Sequence, residues 1–152
     1  MAIGVHRRSP HGRMCRRKGR ISHGRASGIG LATALTVARE GAKLVIADTN
    51  ADGGQHTVHM ITDNGGEAIF VQADVSQATA VEAMISQTVE TSGRLDCAHH
   101  NAGIGSRPWV LLHELPEESW DRVININLKS VWLCMKYKLI QMLAQGVRVV
   151  RV

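Results

Sequence analysis

The 152-residue sequence is poor in cysteine, with Cys15, Cys97 and Cys134 far apart and no CxxC pair. This pattern argues against a disulfide framework and indicates a reducing compartment, so a cytoplasmic location is predicted. No apolar run approaches the roughly 18 residues that a membrane-spanning helix needs, which excludes an integral membrane helix. The length fits one domain and excludes a stable second one.

Acidic residues are absent from residues 1–25, which carry eight Arg or Lys, whereas residues 26–152 carry ten bases and thirteen acids. The net charge of +5 therefore comes from the leader. Such a leader could bind nucleic acid or an acidic partner, but no aromatic residue lies among its bases to stack on a nucleobase. An organellar transit peptide and a disordered or wrongly started N-terminus are the other interpretations. Disorder is the favoured one for residues 1–20, and nucleic acid is not the expected partner.

From residue 26 onward, segments with helical spacing alternate with short apolar runs. Such runs are typical of strands buried on both faces of a parallel sheet. Helices are predicted over 28–40, 51–63, 77–91 and from Pro116 to about 144, and strands over 43–48, 67–74 and 95–103. This alternation predicts a doubly wound α/β fold with a parallel sheet.

Three glycines, Gly24, Gly28 and Gly30, lie at the start of the first predicted helix. Gly24 permits a tight turn, and the other two let the backbone approach a ligand because they lack a Cβ. The helix start directs its N–H groups at an anion such as a pyrophosphate. Asp48 ends the next predicted strand, eighteen residues after Gly30, where a carboxylate can accept hydrogen bonds from an adenosine ribose. A solvated carboxylate at a strand end is the alternative interpretation of Asp48.

Together these motifs resemble the short-chain dehydrogenase/reductase family over roughly residues 20–145. GRASGIG stands for the family's TGxxxGIG, HNAG at 100–103 stands for NNAG, and Asn127 matches the helix asparagine of its Asn-Ser-Tyr-Lys tetrad. The resemblance implies a Rossmann-type fold and NAD as the cofactor, with NADP less favoured. It implies pyrophosphate contacts from Gly24, Gly28, Ile29 and Gly30, a ribose contact from Asp48, adenine contacts from Asp74 and Val75, and a nicotinamide side formed by Asn101, Ala102 and Gly103.

The Ser, Tyr and Lys of that tetrad have no counterpart in the sequence. The family moves a proton with a Tyr whose pKa is lowered by a Lys four residues later. Here the one tyrosine, Tyr137, is followed at that position by Gln141, and it is predicted to pack by its ring within the last helix. Residues 21–152 therefore resemble an incomplete dinucleotide-binding domain of an oxidoreductase, with Asn127 as a catalytic remnant.

The strand expected before Gly24 is unusually polar, since residues 17–23 contain a single aliphatic side chain. Burying an unpaired charge costs several kcal/mol, so this strand is predicted to be frayed or absent and the glycine turn to be poorly anchored. A frame error or misplaced start at this end, and a frame error or truncation after Gly146, is the hypothesis that explains both ends.

Histidines are numerous, but no metal site is expected. His56 and His59 are spaced for one helix face without a third ligand, and Cys97, His99 and His100 alternate across a strand. The leading hypothesis is thus an NAD-binding oxidoreductase-family chain that does not turn over alone. The alternatives are a non-catalytic protein that binds nucleic acid or a partner through the leader, and a non-functional fragment. Association or aggregation is expected through the apolar face of the helix at about 117–144.

Overall fold

The computed structural model describes residues 19–23, 28–107 and 109–146. Its elements, in chain order, are β1 (Gly19–His23), α1 (Gly28–Arg39), β2 (Lys43–Asp48), α2 (Ala51–Thr62), β3 (Glu67–Gln72), α3 (Ala78–Ser92), β4 (Cys97–His100), a 3-10 turn (Leu112–Glu114), α4 (Glu117–Ile124), a π-helical segment (Asn125–Lys129) and α5 (Ser130–Ala144). Gly24, residues 1–18 of the predicted leader, and the residues after Gly146 lie outside the described ranges.

The four strands form one parallel sheet in the order β3-β2-β1-β4. Their registers align the carboxyl ends, with His23 opposite both Ala47 and His100, and Asp48 opposite Gln72. The predicted doubly wound parallel fold is therefore confirmed. The alignment places the segments that follow β2, β3 and β4 along one edge of the sheet, where ligands of such folds bind.

The prediction that the first strand is frayed or absent is wrong. β1 pairs with β2 over five residues and with β4 over four, and it lies between them. The physical reason is that a parallel ladder is made by backbone N–H and C=O groups, which every residue except proline supplies. Without β1, the facing edges of β2 and β4 would lose their hydrogen-bond partners. β1 begins at Gly19, two residues before the boundary predicted between leader and domain.

The apolar run of β2 is buried because helices cover both faces of the sheet. Leu44 and Ile46 pack on one face against α1 and α2, and Val45 and Ala47 pack on the other. The first core consists of Ala34, Ala38, Leu44, Ile46 and Ile61. The second core consists of Val45, Ala47, Val71, Ala73, Val75, Val81, Met84, Ile85, Leu95 and Cys134. Because side chains alternate between the two covered faces, residues 44–47 of β2 are all apolar.

The long helix predicted from Pro116 to about 144 is interrupted. Between α4 and α5 the chain takes a π-helical turn over Asn125–Lys129. Ser130 donates its hydroxyl hydrogen bond to the carbonyl of Ile126, four residues earlier. Hydroxyl bonds of the same kind occur within the regular helices α1, α2 and α3, so the bond accompanies the π-turn without explaining it, and the spacing of apolar residues does not predict the turn. None of the helices in the described ranges has the length and apolarity needed to cross a bilayer.

Candidate functional site

A cleft of about 400 Å³ opens at the carboxyl edge of the sheet. Five residues that the sequence assigned to cofactor binding line it: Asp48, Asp74, Val75, Ala102 and Gly103. Its remaining described lining residues are Ala47, Thr49, Asn50, Ala73, Ile104, Arg122 and Ile126. A single concave surface is therefore formed by four parts of the chain: the end of β2, the segments that follow β3 and β4, and one side of α4 with the π-helical segment.

Asp48 carries the most distinctive polar group of this cleft. Its Oδ1 accepts a hydrogen bond of 3.0 Å from the backbone N–H of Asn50, which caps α2 through a 3.1 Å bond from the N–H of Gly53. Its Oδ2 is buried and has no hydrogen-bond partner among the described residues. A buried carboxylate oxygen without a donor is costly, so this atom is suited to accept hydrogen bonds from a ligand's hydroxyl groups.

Asp74 and Val75 follow β3 on the neighbouring wall. The Oδ1 of Asp74 accepts bonds from the backbone N–H of Ser76 at 2.9 Å and from its hydroxyl at 2.8 Å. The Asp74 carbonyl also accepts from the N–H of Gln77, which precedes α3. These bonds fix the turn between strand and helix. Asp74 remains exposed at the cleft while Val75 anchors the turn in the second core.

The glycine-rich helix start is described only in part. Gly28 has a φ of +65°, a conformation that favours glycine, and it opens α1. Ile29 is 72% exposed and Gly30 is buried. These three residues are not among the described residues that line the cleft, and Gly24 lies outside the described ranges. The predicted pyrophosphate contacts therefore stay a prediction.

Asn127 holds the loop that follows β4. The backbone N–H of Ile104 donates to Asn127 Oδ1 at 2.8 Å, and Asn127 Nδ2 donates to the Ile104 carbonyl at 2.9 Å. Asn127 belongs to the π-helical segment, so the distorted turn presents the amide to the loop. Ala102 and Gly103 lie just before the clamped residue, and Asn101 is half-buried between them and β4. Asn127 thus orders the loop beside the cleft.

A second cavity of about 610 Å³ adjoins the cleft, sharing Gly103, Ile104 and Arg122. Gly105, Ser106, Arg107, Trp109 and Asn127 complete its described lining. The sequence analysis did not assign a role to Arg107, Trp109 or Arg122. For Arg122 the sequence offers one signal. It lies five residues before Asn127 on the same predicted helix, which is close enough to place it near the site.

Ionisable groups are also buried between β4 and α5. Burial, followed by the charge of Lys138, lowers the pKa of His100 to about 3. Burial lowers the pKa of Lys138 to about 7. Tyr137 packs against the second core, and a hydrogen bond with Glu82 raises its pKa. Tyr137 therefore stays protonated at neutral pH.

A family model described as enoyl-(acyl carrier protein) reductase matches residues 24–152. The chain is 39% identical over 129 residues to the short-chain dehydrogenase/reductase astE of Aspergillus oryzae, covering 83% of this chain and 48% of that one. A short-chain type dehydrogenase/reductase from Mycobacterium marinum superposes with a TM-score of 0.78 and 30% identity, over 84% of this chain and 51% of that one. A metagenomic short-chain oxidoreductase in complex with NADP gives 0.76 and 29%, over 82% and 56%. The chain spans about half the length of the relatives it matches.

Proposed function

The chain belongs to the short-chain dehydrogenase/reductase family, and from this premise we propose that its cleft holds NAD in preference to NADP as part of an oxidoreductase. The family binds a nicotinamide dinucleotide. The observation that carries the proposal is the buried Oδ2 of Asp48, which has no partner among the described residues and borders a cleft of about 400 Å³. Cavities of about 300–1,000 Å³ are the usual size for small ligands.

The residues present fit the cofactor part by part. Asp48 would accept the hydroxyl hydrogen bonds of the adenosine ribose, and Asp74 and Val75 would border the adenine. By resemblance, Gly24, Gly28, Ile29 and Gly30 would face the pyrophosphate, and Asn101, Ala102 and Gly103 the nicotinamide side. When bound, the nicotinamide would accept a hydride in its oxidised form or donate one in its reduced form.

The preference for NAD rests on charge. NADP carries a 2′-phosphate at the ribose that Asp48 would contact, and a carboxylate repels that phosphate while it binds the free hydroxyl of NAD. The exposed Arg122 also borders the cleft, but it lies on α4 and not on the strand end that carries Asp48. One solved relative is a complex with NADP, so the choice has to be measured on this chain.

The proton transfer that accompanies hydride transfer has no donor among the tetrad positions of these 152 residues. We therefore propose that this chain binds the dinucleotide weakly and does not oxidise an alcohol by itself. Asn127 serves here as a positioning residue, because its side-chain amide is occupied by both backbone groups of Ile104.

Titration calorimetry of the 152-residue chain with NADH and NADPH tests the proposal. The NADH affinity should exceed the NADPH affinity, and Asp48→Asn should weaken NADH binding about tenfold, as expected for losing a charged hydrogen-bond acceptor. Asp63→Asn, an exposed carboxylate at the end of α2, is the matched control and should leave both affinities unchanged. Absence of heat with either dinucleotide, for a folded chain, would contradict the proposal.

Three further properties stay predictions. The apolar face of α4, the π-helical segment and α5 exposes large side chains, namely Trp120, Leu128, Trp132, Met135, Ile140 and Leu143. Association of copies through this face is the expected result, and light scattering that shows a clean monomer would contradict it. The spacing of the cysteines favours the cytoplasm. Binding of nucleic acid through the leader is the alternative function, and deletion of residues 1–18 should abolish it while leaving NADH binding intact.

A further inference from the structure

We propose that the second cavity binds the carboxylate of a substrate whose body is an apolar ring. This cavity lies between the loop from Gly103 to Trp109 and α4, and its volume of about 610 Å³ suits a small molecule. The proposal rests on the proposed dinucleotide function, because it assigns the neighbouring cavity to the substrate of the same reaction.

The charge of the cavity points to an anion. Arg107 and Arg122 both line it, and its described lining contains no aspartate or glutamate. In the described part of the chain, neither guanidinium takes part in an ion pair. Guanidinium groups stay protonated at any physiological pH and bind carboxylates through paired N–H donors. Two such groups without a counter-ion on one concave surface are therefore suited to an anionic ligand.

The loop segment that carries Arg107 is held at two points, Ile104 and Arg107 itself. The hydroxyl of Ser119 donates to the carbonyl of Arg107 at 2.9 Å, and Asn127 clamps Ile104 at the other end of the loop. Ser119 and Arg122 are three residues apart on α4, so they lie on the same helix face. The face of α4 that holds the loop thus also presents the second guanidinium. A preformed arrangement lowers the entropic cost of binding.

Trp109 supplies the apolar surface for a ring. It is 85% exposed and lines the cavity together with Ile104 and two glycines, Gly103 and Gly105. The indole offers a large flat face that stacks on a ring, whereas a small inorganic anion gains nothing from it. This combination favours a carboxylate on a ring over a free phosphate, although both carry the charge that the arginines recognise.

The second cavity lies directly beside the cofactor cleft. Gly103, Ile104 and Arg122 border both cavities, so a ligand in the second cavity would be next to the segment assigned to the nicotinamide side. Arg107 borders the second cavity only. A substitution of Arg107 therefore separates substrate binding from cofactor binding, which a substitution of Arg122 does not.

The experiment follows the indole N–H resonances of the 152-residue chain by ¹⁵N–¹H NMR, with the Trp109 signal assigned from Trp109→Phe. The probe is cyclohexanecarboxylate, and its uncharged isostere cyclohexanecarboxamide is the matched ligand. We expect a saturable shift of the Trp109 signal with the carboxylate, and at least about tenfold weaker binding of the amide, since an ionised partner makes the stronger hydrogen bonds. Arg107→Gln should weaken the carboxylate about tenfold on the same ground.

One control variant and one control ligand test whether the effects are specific to the second cavity. Arg39→Gln removes an exposed arginine at the end of α1, outside the cavity, and should change nothing. Inorganic phosphate should bind about tenfold more weakly than the carboxylate, because it cannot stack on Trp109. Equal binding of acid and amide, equal binding of phosphate, or an unchanged affinity in Arg107→Gln would each overturn the proposal.

Failure of the substrate proposal can be distinguished from failure of the dinucleotide proposal. NADH titrated into Arg107→Gln should bind as to the unchanged chain, which shows that the cleft is intact. Carboxylate binding without any NADH binding would refute the dinucleotide function and leave an anion site. NADH binding without a Trp109 response to the carboxylate would refute the substrate assignment alone.

Discussion

The two faces of the sheet differ in what they bury. On one face, α1 and α2 cover the first core, and the polar side chain that α2 buries there is the uncharged hydroxyl of Thr57. On the other face, α3 and α5 cover the second core, and α5 also buries the ionisable Lys138, which is 2% exposed one turn after Cys134. The same strand, β2, contributes alternate residues to both cores. The difference shows that one apolar strand pattern is compatible with a layer whose buried polar group is an uncharged hydroxyl and with a layer that buries an ionisable amine.

The largest expected effect comes from making the second core apolar with Lys138→Met. Burial lowers the pKa of Lys138 from 10.5 to about 7. Over that interval the unfolded state holds the proton and the folded state does not, so the free energy of unfolding rises with pH between about 7 and 10.5. Lys138→Met removes this loss, so it should raise the free energy of unfolding at pH 7 in denaturant titrations, by about 1–4 kcal/mol as for other buried ionic groups replaced by apolar side chains.

The pH dependence provides the sharper version of this test. The advantage of Lys138→Met should shrink as the pH rises towards 10.5, where the lysine is neutral in both states. Lys129→Met, an exposed lysine of the π-helical segment that lies over no aromatic ring among the described residues, should change the free energy of unfolding by less than about 0.5 kcal/mol. Equal stability curves for the Lys138 variant and the unchanged chain would remove the distinction between the two cores.

An intermediate effect is expected on the other face from Gly54→Ala. A Cβ at Gly54 would lie 2.0 Å from Cε2 of Phe70, so the ring or α2 must move. Overpacking of this kind costs about 1–3 kcal/mol, against a gain of about 1 kcal/mol from the helix propensity of alanine. Three ring atoms of Phe70 would lie within 3.0 Å of the added Cβ, so the upper part of that range applies and a net loss of about 1–2 kcal/mol in thermal or denaturant unfolding is the expected result.

The matched substitution for that test is Gly105→Ala, because nothing lies within 4 Å of a Cβ at Gly105. It should leave stability unchanged or raise it by a few tenths of a kcal/mol. Gly54→Ala that is as stable as Gly105→Ala would show that the contact between α2 and β3 is loose.

The smallest effect on stability is expected at Asn127, in the π-helical segment beside the cleft. Asn127→Ala removes the two hydrogen bonds to Ile104, but the amide is exposed and water replaces it, so the loss should be about 1 kcal/mol. The consequence should be local, with faster amide hydrogen exchange of Ile104 and weaker NADH binding. Asn125→Ala, a half-buried asparagine in the same π-helical segment with no hydrogen bond of its side chain recorded among the described residues, is the comparison. Unchanged exchange at Ile104 would contradict a positioning role for Asn127.

The sequence predicted the first face better than the second. Helix α1, strand β2 and helix α2 agree with the predicted bounds to within one residue, because apolar spacing and the Asn50 cap are local signals. The register that brings Asp48, Asp74 and Gly103 to one cleft follows from parallel pairing, whereas the cofactor contacts of these residues stay a prediction.

Other features depend on tertiary contacts that spacing does not encode. β1 forms despite its polar residues because its neighbours need backbone partners. The π-helical turn at 125–129 interrupts a stretch whose apolar periodicity continues unbroken. The burial of Lys138 and the basic cavity of Arg107 and Arg122 require knowledge of which loop packs on which helix.

The most direct test of the account is a map of NADH binding on the backbone amides of the 152-residue chain by ¹⁵N–¹H NMR. The account predicts saturable shifts at Asn50, Val75, Ala102 and Gly103, which line the cleft, and none at Gly41 and Gly65, which lie at the opposite ends of α1 and α2. Shifts confined to residues outside the cleft, or a folded chain whose spectrum does not respond to NADH, would contradict it.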